Sequence, residues 1–135
     1  MSAKHISLIK PDDWHVHLRD GEALTTTVAH TAKNFARAIV MPNLAEPVTT
    51  IAAANQYRQR ILAAVPEELD FQPLMTLYLT DATPVTEITL VQESESVKAL
   101  KYYPAGATTN SANGVTSIDM VMAVLEAMAE KMCPY

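Results

Sequence analysis

This 135-residue chain contains four short apolar stretches. Each is followed by a segment in which apolar residues recur at helical spacing. The second stretch, residues 37–41, is almost continuously apolar, which is typical of a strand covered on both faces in a parallel sheet. Strands that alternate with helices in this way favour an α/β fold with right-handed crossovers. The predicted strands lie at residues 12–20, 37–41, 71–79 and 97–103, and the residues predicted to cap the helices are Asp20, Thr50, Thr83 and either Thr116 or Ser117.

The last predicted helix carries a methionine-rich stripe at helical spacing. Methionine is a common filler of hydrophobic cores, so we expect this stripe to pack inside the protein rather than to bind a metal or cofactor. The stripe consists of Ile118, Val121, Met122, Leu125, Met128 and Met132.

Composition limits the class of protein. With 49% hydrophobic and 19% charged residues, the chain is expected to form one folded domain over residues 1–135, with no second domain. A net charge of −5 argues against nucleic acid or an anionic membrane as a partner. Three glycines exclude a glycine-rich dinucleotide fingerprint. A single cysteine, no signal-peptide pattern and no long apolar run predict a soluble cytoplasmic protein.

Two histidines stand two positions apart in the first predicted strand. Side chains alternate along a strand, so His15, His17 and Arg19 are expected on one face, with Val16 and Leu18 on the other. Two imidazoles beside a guanidinium suit a metal ion and an anion better than a core. Zinc leads among the metals, while iron, manganese and cobalt stay open. Histidines that simply bond to backbone or water are the alternative.

Polar residues also follow other predicted strands, where parallel α/β folds gather their functional groups. Asn43 follows the second strand, and with Arg19 it suits a carboxylate ligand; a surface ion pair and a turn residue are the alternatives. Thr80 and Asp81 follow the third strand and are interpreted only as a turn.

Lys101 lies near the end of the fourth predicted strand, before a long polar loop that contains Thr108 and Thr109. Long ordered loops are often lids or binding loops. A lysine in such a place usually extends to solvent or pairs with an acid. Alternatively, its amine has reacted with carbon dioxide, and the resulting carbamate has two oxygens that would bridge two metal ions.

Four segments of the sequence together resemble a known family. In order and spacing, and over essentially the whole chain, they are similar to the N-terminal third of the bacterial dihydroorotases of the shorter monofunctional type, which belong to the amidohydrolase superfamily. The segments are Trp14-His-Val-His-Leu-Arg-Asp20, Ala38-Ile-Val-Met-Pro-Asn43, Leu100-Lys-Tyr-Tyr-Pro104 and Ala107-Thr-Thr-Asn-Ser111.

The resemblance implies a fold and a reaction. The fold is a (β/α)₈ barrel of the TIM type, of which this chain would form four βα units, a half barrel of parallel strands. The reaction is the zinc-dependent, reversible cyclisation of N-carbamoyl-L-aspartate to L-dihydroorotate in pyrimidine (UMP) biosynthesis. The resemblance also implies two zinc ions in each complete active site and a homodimer for the full-length enzyme.

The same resemblance implies roles for individual residues. His15 and His17 would bind the more buried zinc, and Lys101, carbamylated to N6-carboxylysine, would bridge the two zincs. The substrate carboxylate would be held by Arg19 and Asn43. Thr108 and Thr109 would lie on a mobile loop that closes over the substrate.

The resemblance also implies residues that this sequence does not contain. Two further histidine ligands and an aspartate that acts as general acid and base would lie beyond Tyr135, so we expect the isolated chain to be inactive. Two other hypotheses stay open. One is another cyclic amidase, such as a hydantoinase or allantoinase, and the other is a non-catalytic half barrel that serves as an interaction module.

Overall fold

A four-stranded parallel sheet forms the centre of the fold in the computed structural model, which describes residues 5–132. The strands lie side by side in chain order, and each runs parallel to its neighbours. The prediction of an α/β fold with parallel strands is therefore confirmed. The strands are β1 (Asp12–Val16), β2 (Arg37–Val40), β3 (Gln72–Tyr78) and β4 (Val97–Lys101).

Helices connect successive strands and follow the last one. They are α1 (Glu22–Asn34), α2 (Ile51–Ala63), α3 (Val85–Glu93) and α4 (Met122–Met132), with a 3₁₀ turn at Ile118–Val121 before α4. The cap predicted for α2 is present, since the Thr50 hydroxyl accepts a 3.2 Å hydrogen bond from the backbone N–H of Ala53. Within residues 5–132, no helix combines the length and the apolar character needed to cross a membrane.

The main core lies between the sheet and helices α1 to α3. Buried strand residues such as Val40 and Leu77 belong to the same hydrophobic cluster as buried helix residues such as Val28 and Ile61. A second, smaller cluster joins the end of β3 to α3, α4 and the segment before α4. Its buried members are Leu79, Ile88, Val115, Val121, Val124 and Ala127.

Two predicted helix caps are wrong. Asp20 does not cap α1, because its carboxylate forms a two-point ion pair with Arg60 at 3.1 and 2.7 Å. The residue that directly precedes α1 is Gly21, and no side chain caps this helix. Helix α3 likewise begins after Pro84, and the Thr83 hydroxyl instead accepts the backbone N–H of Thr80 at 2.9 Å.

The methionine-rich stripe is only partly buried, in contrast to the prediction. Val121 is buried, but Ile118 and Met122 are 47% and 42% exposed, and Leu125 and Met128 are only partly buried against the smaller cluster. The chain enters α4 through a 3₁₀ turn, whose three residues per turn shift the buried face away from the positions that 3.6-residue spacing predicts. Val124 and Ala127 occupy that face instead, and the side chain of Met132 lies outside the described part of the chain.

Candidate active site

The first strand is shorter than predicted, since it ends at Val16 rather than at Asp20. Between Asp13 and Val16 it contains one residue more than the segment of β2 opposite, which makes a β-bulge. The Asp13 carboxylate accepts the backbone N–H of His15 at 2.9 Å within this bulge. Bulges redirect side chains near functional sites, so His15 departs from regular strand alternation.

His15 and His17 lie side by side at the end of β1. Their ring centroids are 5.3 Å apart and the ring planes are inclined by 48°. Leu18 is fully buried and Val16 packs against the main core, but the alternation predicted as far as Arg19 is absent, because the strand ends at Val16 and Arg19 has a left-handed backbone. The first strand therefore ends with two imidazoles next to one another and outside the core.

The surroundings of His17 bring several of the predicted site residues together. Partial burial lowers the pKa of His17 below its ordinary value, and the positive charges of Arg19 and His15 lower it further. The Asn43 amide opposes this shift, while the Lys101 ammonium adds slightly to it. A lower pKa favours the neutral imidazole, which is the form that binds metals.

The donor set around the histidines fits part of a zinc site. Two adjacent imidazoles are suitable ligands, but a zinc site has three or four protein ligands. Across residues 5–132, no cluster of three or more histidine, cysteine, aspartate or glutamate side chains is positioned to hold a metal. A carbamate on Lys101 would add oxygen ligands, whereas the ammonium form would repel a cation.

Lys101 is the last residue of β4 and is partly buried. Its ammonium nitrogen lies 5.5 Å from the centroid of the Tyr103 ring, within the range of a cation–π contact. Tyr103 in turn stacks on Tyr78, with ring centroids 5.1 Å apart. The ends of β3 and β4 are thus joined by an aromatic pair with the lysine over one ring.

Asn43 fastens the loop after β4 to the end of β2. It is only 3% exposed, and its amide nitrogen donates a 3.0 Å hydrogen bond to the carbonyl of Thr109. Its amide oxygen accepts the Tyr103 hydroxyl at 3.0 Å, and its own carbonyl accepts the Asn110 amide at 3.1 Å. An amide nitrogen carries two hydrogens, and the hydrogen bond to Thr109 uses one of them.

The threonine loop, residues 105–114, is stabilised by hydrogen bonds to one of its own side chains. The buried Ser111 hydroxyl accepts the N–H of Thr108 at 2.8 Å and donates to the Thr108 carbonyl at 2.6 Å. Beyond the loop, Thr116 donates to the Asp81 carboxylate from its N–H and its hydroxyl, at 3.0 and 2.6 Å. Asp81, predicted only as part of a turn, therefore anchors the end of this segment, and Thr108 and Thr109 themselves are exposed.

Arg19 lies beyond β1, in a left-handed backbone conformation with φ of 62°. Its carbonyl accepts a hydrogen bond from the Tyr57 hydroxyl, and the next residue, Asp20, pairs with Arg60. The Arg60 guanidinium lies 5.4 Å from the centroid of the Tyr57 ring. Sequence reasoning missed Tyr57 and Arg60 because they lie 38 and 40 positions from the residues that they hold.

The sequence pattern of the amidohydrolase family matches residues 6–132. The chain belongs to the amidohydrolase family. A dihydroorotase of Aromatoleum aromaticum is 63% identical over 123 residues, which are 91% of this chain and 36% of that protein. The chain thus spans little more than a third of the length of this relative.

Solved structures of amidohydrolases agree with this membership. The crystal structure of dihydroorotase from Campylobacter jejuni matches 93% of the chain and 36% of its own, with a TM-score of 0.83 and 35% identity. The crystal structure of dihydroorotase from Saccharomyces cerevisiae, in complex with 5-fluoroorotic acid, matches 90% of this chain and 33% of its own chain. The TM-score is 0.80 and the sequence identity is 29%. The predicted resemblance to dihydroorotases is confirmed, and so is the prediction of four βα units of a TIM-type barrel.

Proposed function

We propose that residues 1–135 form the N-terminal part of the (β/α)₈ barrel of a dihydroorotase, which cyclises N-carbamoyl-L-aspartate to L-dihydroorotate and reverses that reaction in pyrimidine biosynthesis. The observation that carries this proposal is the end of β1, where the rings of His15 and His17 lie with centroids 5.3 Å apart and Arg19 follows two positions later. It combines a pair of metal-binding imidazoles with a guanidinium, and therefore suits a cyclic amide that carries a carboxylate.

Arg19 and Asn43 are proposed to hold the substrate carboxylate. The guanidinium offers a two-point contact, and the Asn43 amide offers a second donor nearby. The yeast dihydroorotase structure contains 5-fluoroorotic acid, a pyrimidine with a carboxyl group, which supports a carboxylate ligand for this chain. Thr108 and Thr109 are proposed to close over the bound substrate, since both are exposed on the threonine loop.

Zinc is the proposed metal, with His15 and His17 as ligands and Lys101 as a carbamate that bridges two ions. The carbamate forms when the neutral Lys101 amine bonds to the carbon of carbon dioxide and loses a proton. Zinc, when bound, supplies an activated water nucleophile and polarises the amide carbonyl of the substrate. The chain's own task is to orient the ring by its carboxylate, so that the reacting carbon faces the metal side of the site.

The chain alone is expected to bind zinc weakly and to show no turnover, because the described residues bring only two imidazoles together. We further propose that the full enzyme is a homodimer in the cytoplasm. The single cysteine supports a reducing compartment.

A chimera tests the proposal, with this chain in place of the matching 36% of the Aromatoleum aromaticum enzyme. The purified chimera is expected to bind zinc and to hydrolyse L-dihydroorotate. Arg19→Gln is expected to raise KM for dihydroorotate strongly, whereas Arg58→Gln, on α2, serves as the matched arginine control. A folded chimera that hydrolyses hydantoin or allantoin, but not dihydroorotate, would show that the alternative cyclic amidase is correct.

The second alternative, a non-catalytic interaction module, makes the opposite prediction for the chain itself. It predicts a stable oligomer of defined size with no zinc bound. Mass measurement together with elemental analysis of the purified chain distinguishes the two. A zinc-free oligomer, together with an inactive chimera, would contradict the dihydroorotase proposal.

A further inference from the structure

Two residues other than glycine adopt a left-handed backbone in the described part of the chain, and both accept a hydrogen bond from a buried tyrosine. Arg19 has φ of 62° and Asn110 has φ of 54°. The Tyr57 hydroxyl donates to the Arg19 carbonyl at 2.5 Å, and the Tyr78 hydroxyl donates to the Asn110 carbonyl at 3.1 Å. Both tyrosines are fully buried.

These contacts are made to the two residues whose backbone conformation is unfavourable. Residues other than glycine rarely adopt the left-handed region, because the Cβ atom crowds the following carbonyl oxygen, and asparagine adopts it more readily than arginine. Such residues persist only where the surrounding structure holds them, and they cluster at functional sites. A buried hydroxyl also needs a partner, so each bond satisfies the tyrosine and fixes the strained residue together.

The chemistry of the two hydroxyls keeps them as donors. Burial raises the pKa of Tyr57 and of Tyr78 above the ordinary value for tyrosine, so both retain their protons at neutral pH. Each ring is also held from a second direction. The Arg60 guanidinium lies over the Tyr57 ring, and the Tyr103 ring stacks on that of Tyr78.

We propose that Tyr57 and Tyr78 are positioning residues for the two substrate-binding segments. Tyr57 fixes the backbone turn after β1 that carries the Arg19 side chain. Tyr78 fixes the turn at Asn110, and through it the threonine loop that carries Thr109. The link to substrate rests on the proposed function, whereas the link between each hydroxyl and its turn does not.

Tyr57→Phe and Tyr78→Phe form a matched pair, since each removes one oxygen atom from a buried ring. The backbone chemical shifts of Arg19 and Asn110 in the isotope-labelled 135-residue chain report the local backbone conformation by NMR. We expect Tyr57→Phe to move the shifts of Arg19 out of the left-handed range and to leave those of Asn110 unchanged. Tyr78→Phe is expected to do the reverse.

Either of two results would overturn the positioning role. One is that both residues keep their left-handed shifts in both variants, and the other is that each variant changes both residues equally. Should a phenylalanine variant fail to fold, p-aminophenylalanine at the same position restores an N–H donor on the same ring. Recovery of the fold and of the left-handed shifts then supports the proposal, and failure to recover contradicts it.

Binding of orotate to the zinc-loaded chain tests the consequence for substrate. The Kd, followed through the Arg19 side-chain N–H signal, is expected to rise about fivefold in Tyr57→Phe, the effect of losing one ordinary hydrogen bond. In Tyr78→Phe, the response of the Thr109 amide to orotate is expected to shrink instead. If the unsubstituted chain does not bind orotate at Arg19, the proposed function fails while the shift pattern still stands. If orotate binds equally to all three chains, the positioning role fails.

Discussion

The Tyr103 hydroxyl donates a 3.0 Å hydrogen bond to the amide oxygen of Asn43, and so joins the end of β4 to the end of β2 across 60 positions of sequence. The contact fixes the orientation of the amide, because the oxygen is directed at Tyr103 and the nitrogen at the carbonyl of Thr109. The two contacts together fix the Asn43 amide at the place where it meets the His17 ring, whose pKa it raises.

Replacement of Tyr103 by phenylalanine is expected to destabilise the chain by about 1–3 kcal/mol, the usual cost of leaving a buried acceptor unpaired. Here the acceptor is the amide oxygen of Asn43, which is 3% exposed. Urea unfolding measures the change. Tyr102→Phe is the control, since Tyr102 is 40% exposed, and it is expected to cost less than about 0.5 kcal/mol. Equal losses in the two variants would contradict the role assigned to the Tyr103 hydroxyl.

Zinc binding is expected to depend on the adjacent imidazoles of His15 and His17. Either His15→Ala or His17→Ala should weaken zinc binding at least about tenfold in calorimetric titrations, since each removes one of two direct ligands. His30→Ala, at an exposed position of α1, provides the matched histidine control and should leave the affinity unchanged. Zinc affinity that is insensitive to both strand-end histidines would refute the proposed metal site.

Gly114 lies against the backbone of the residue that binds Asn43. A Cβ atom at Gly114 would stand 2.3 Å from the Tyr103 carbonyl oxygen, so Gly114→Ala is expected to cost at least about 2 kcal/mol through overpacking. Gly106→Ala is a control for backbone strain without overpacking. A Cβ atom at Gly106 would have no other atom within 4 Å, but the backbone φ of this residue is +75°. This variant should cost about 1 kcal/mol through backbone strain alone. Thermal unfolding of the two variants compares the two costs.

The Asp20–Arg60 pair predicts an acid dependence of stability. Hydrogen bonding to Arg60 lowers the pKa of Asp20, against the opposing effect of partial burial. Because the pKa in the folded state lies below the unfolded value of about 3.9, the pair stabilises the fold above roughly pH 4 and loses this effect as pH falls through the folded pKa. The side chains are 35% and 47% exposed, so the stabilisation at neutral pH stays below about 1 kcal/mol.

Asp20→Asn should therefore flatten the acid side of the stability profile and change stability little at pH 7. Urea unfolding between pH 3 and pH 7 measures both effects. Glu67→Gln, at an exposed position, serves as the control and should leave the profile unaltered. If the loss of stability at low pH is unchanged in Asp20→Asn, the Asp20–Arg60 pair is not its cause.

Local signals in the sequence predicted the elements well, because a strand or a helix depends mainly on neighbouring residues. The Thr50 cap is an example, since its partner Ala53 lies three positions away. Asp20 was misassigned as a cap for the opposite reason: its partner, Arg60, comes from the next helix. The same holds for Tyr57, whose helical spacing indicates only a core residue and whose hydroxyl contact depends on how α2 packs.

The candidate site was predictable as a set of residue types at strand ends, but not as a network. Parallel strands place their carboxyl ends together, which brought Asn43 and Lys101 near His17 as expected. Nothing in the spacing of Asn43 indicated that its amide also holds the threonine loop. The 3₁₀ turn before α4 was likewise hidden, since a turn of three residues leaves little trace in an apolar pattern.

The strand order has a consequence for how the molecule is made. Every strand from β2 onward hydrogen-bonds to the strand synthesised just before it, and the first such pairing joins Asp12 to Arg37, only 25 positions apart. Pairing between strands that are neighbours in sequence costs less loop-closure entropy than pairing between distant strands. During synthesis from the N-terminus, the sheet can therefore form one strand at a time, and each new strand pairs with the edge strand that precedes it in the sequence.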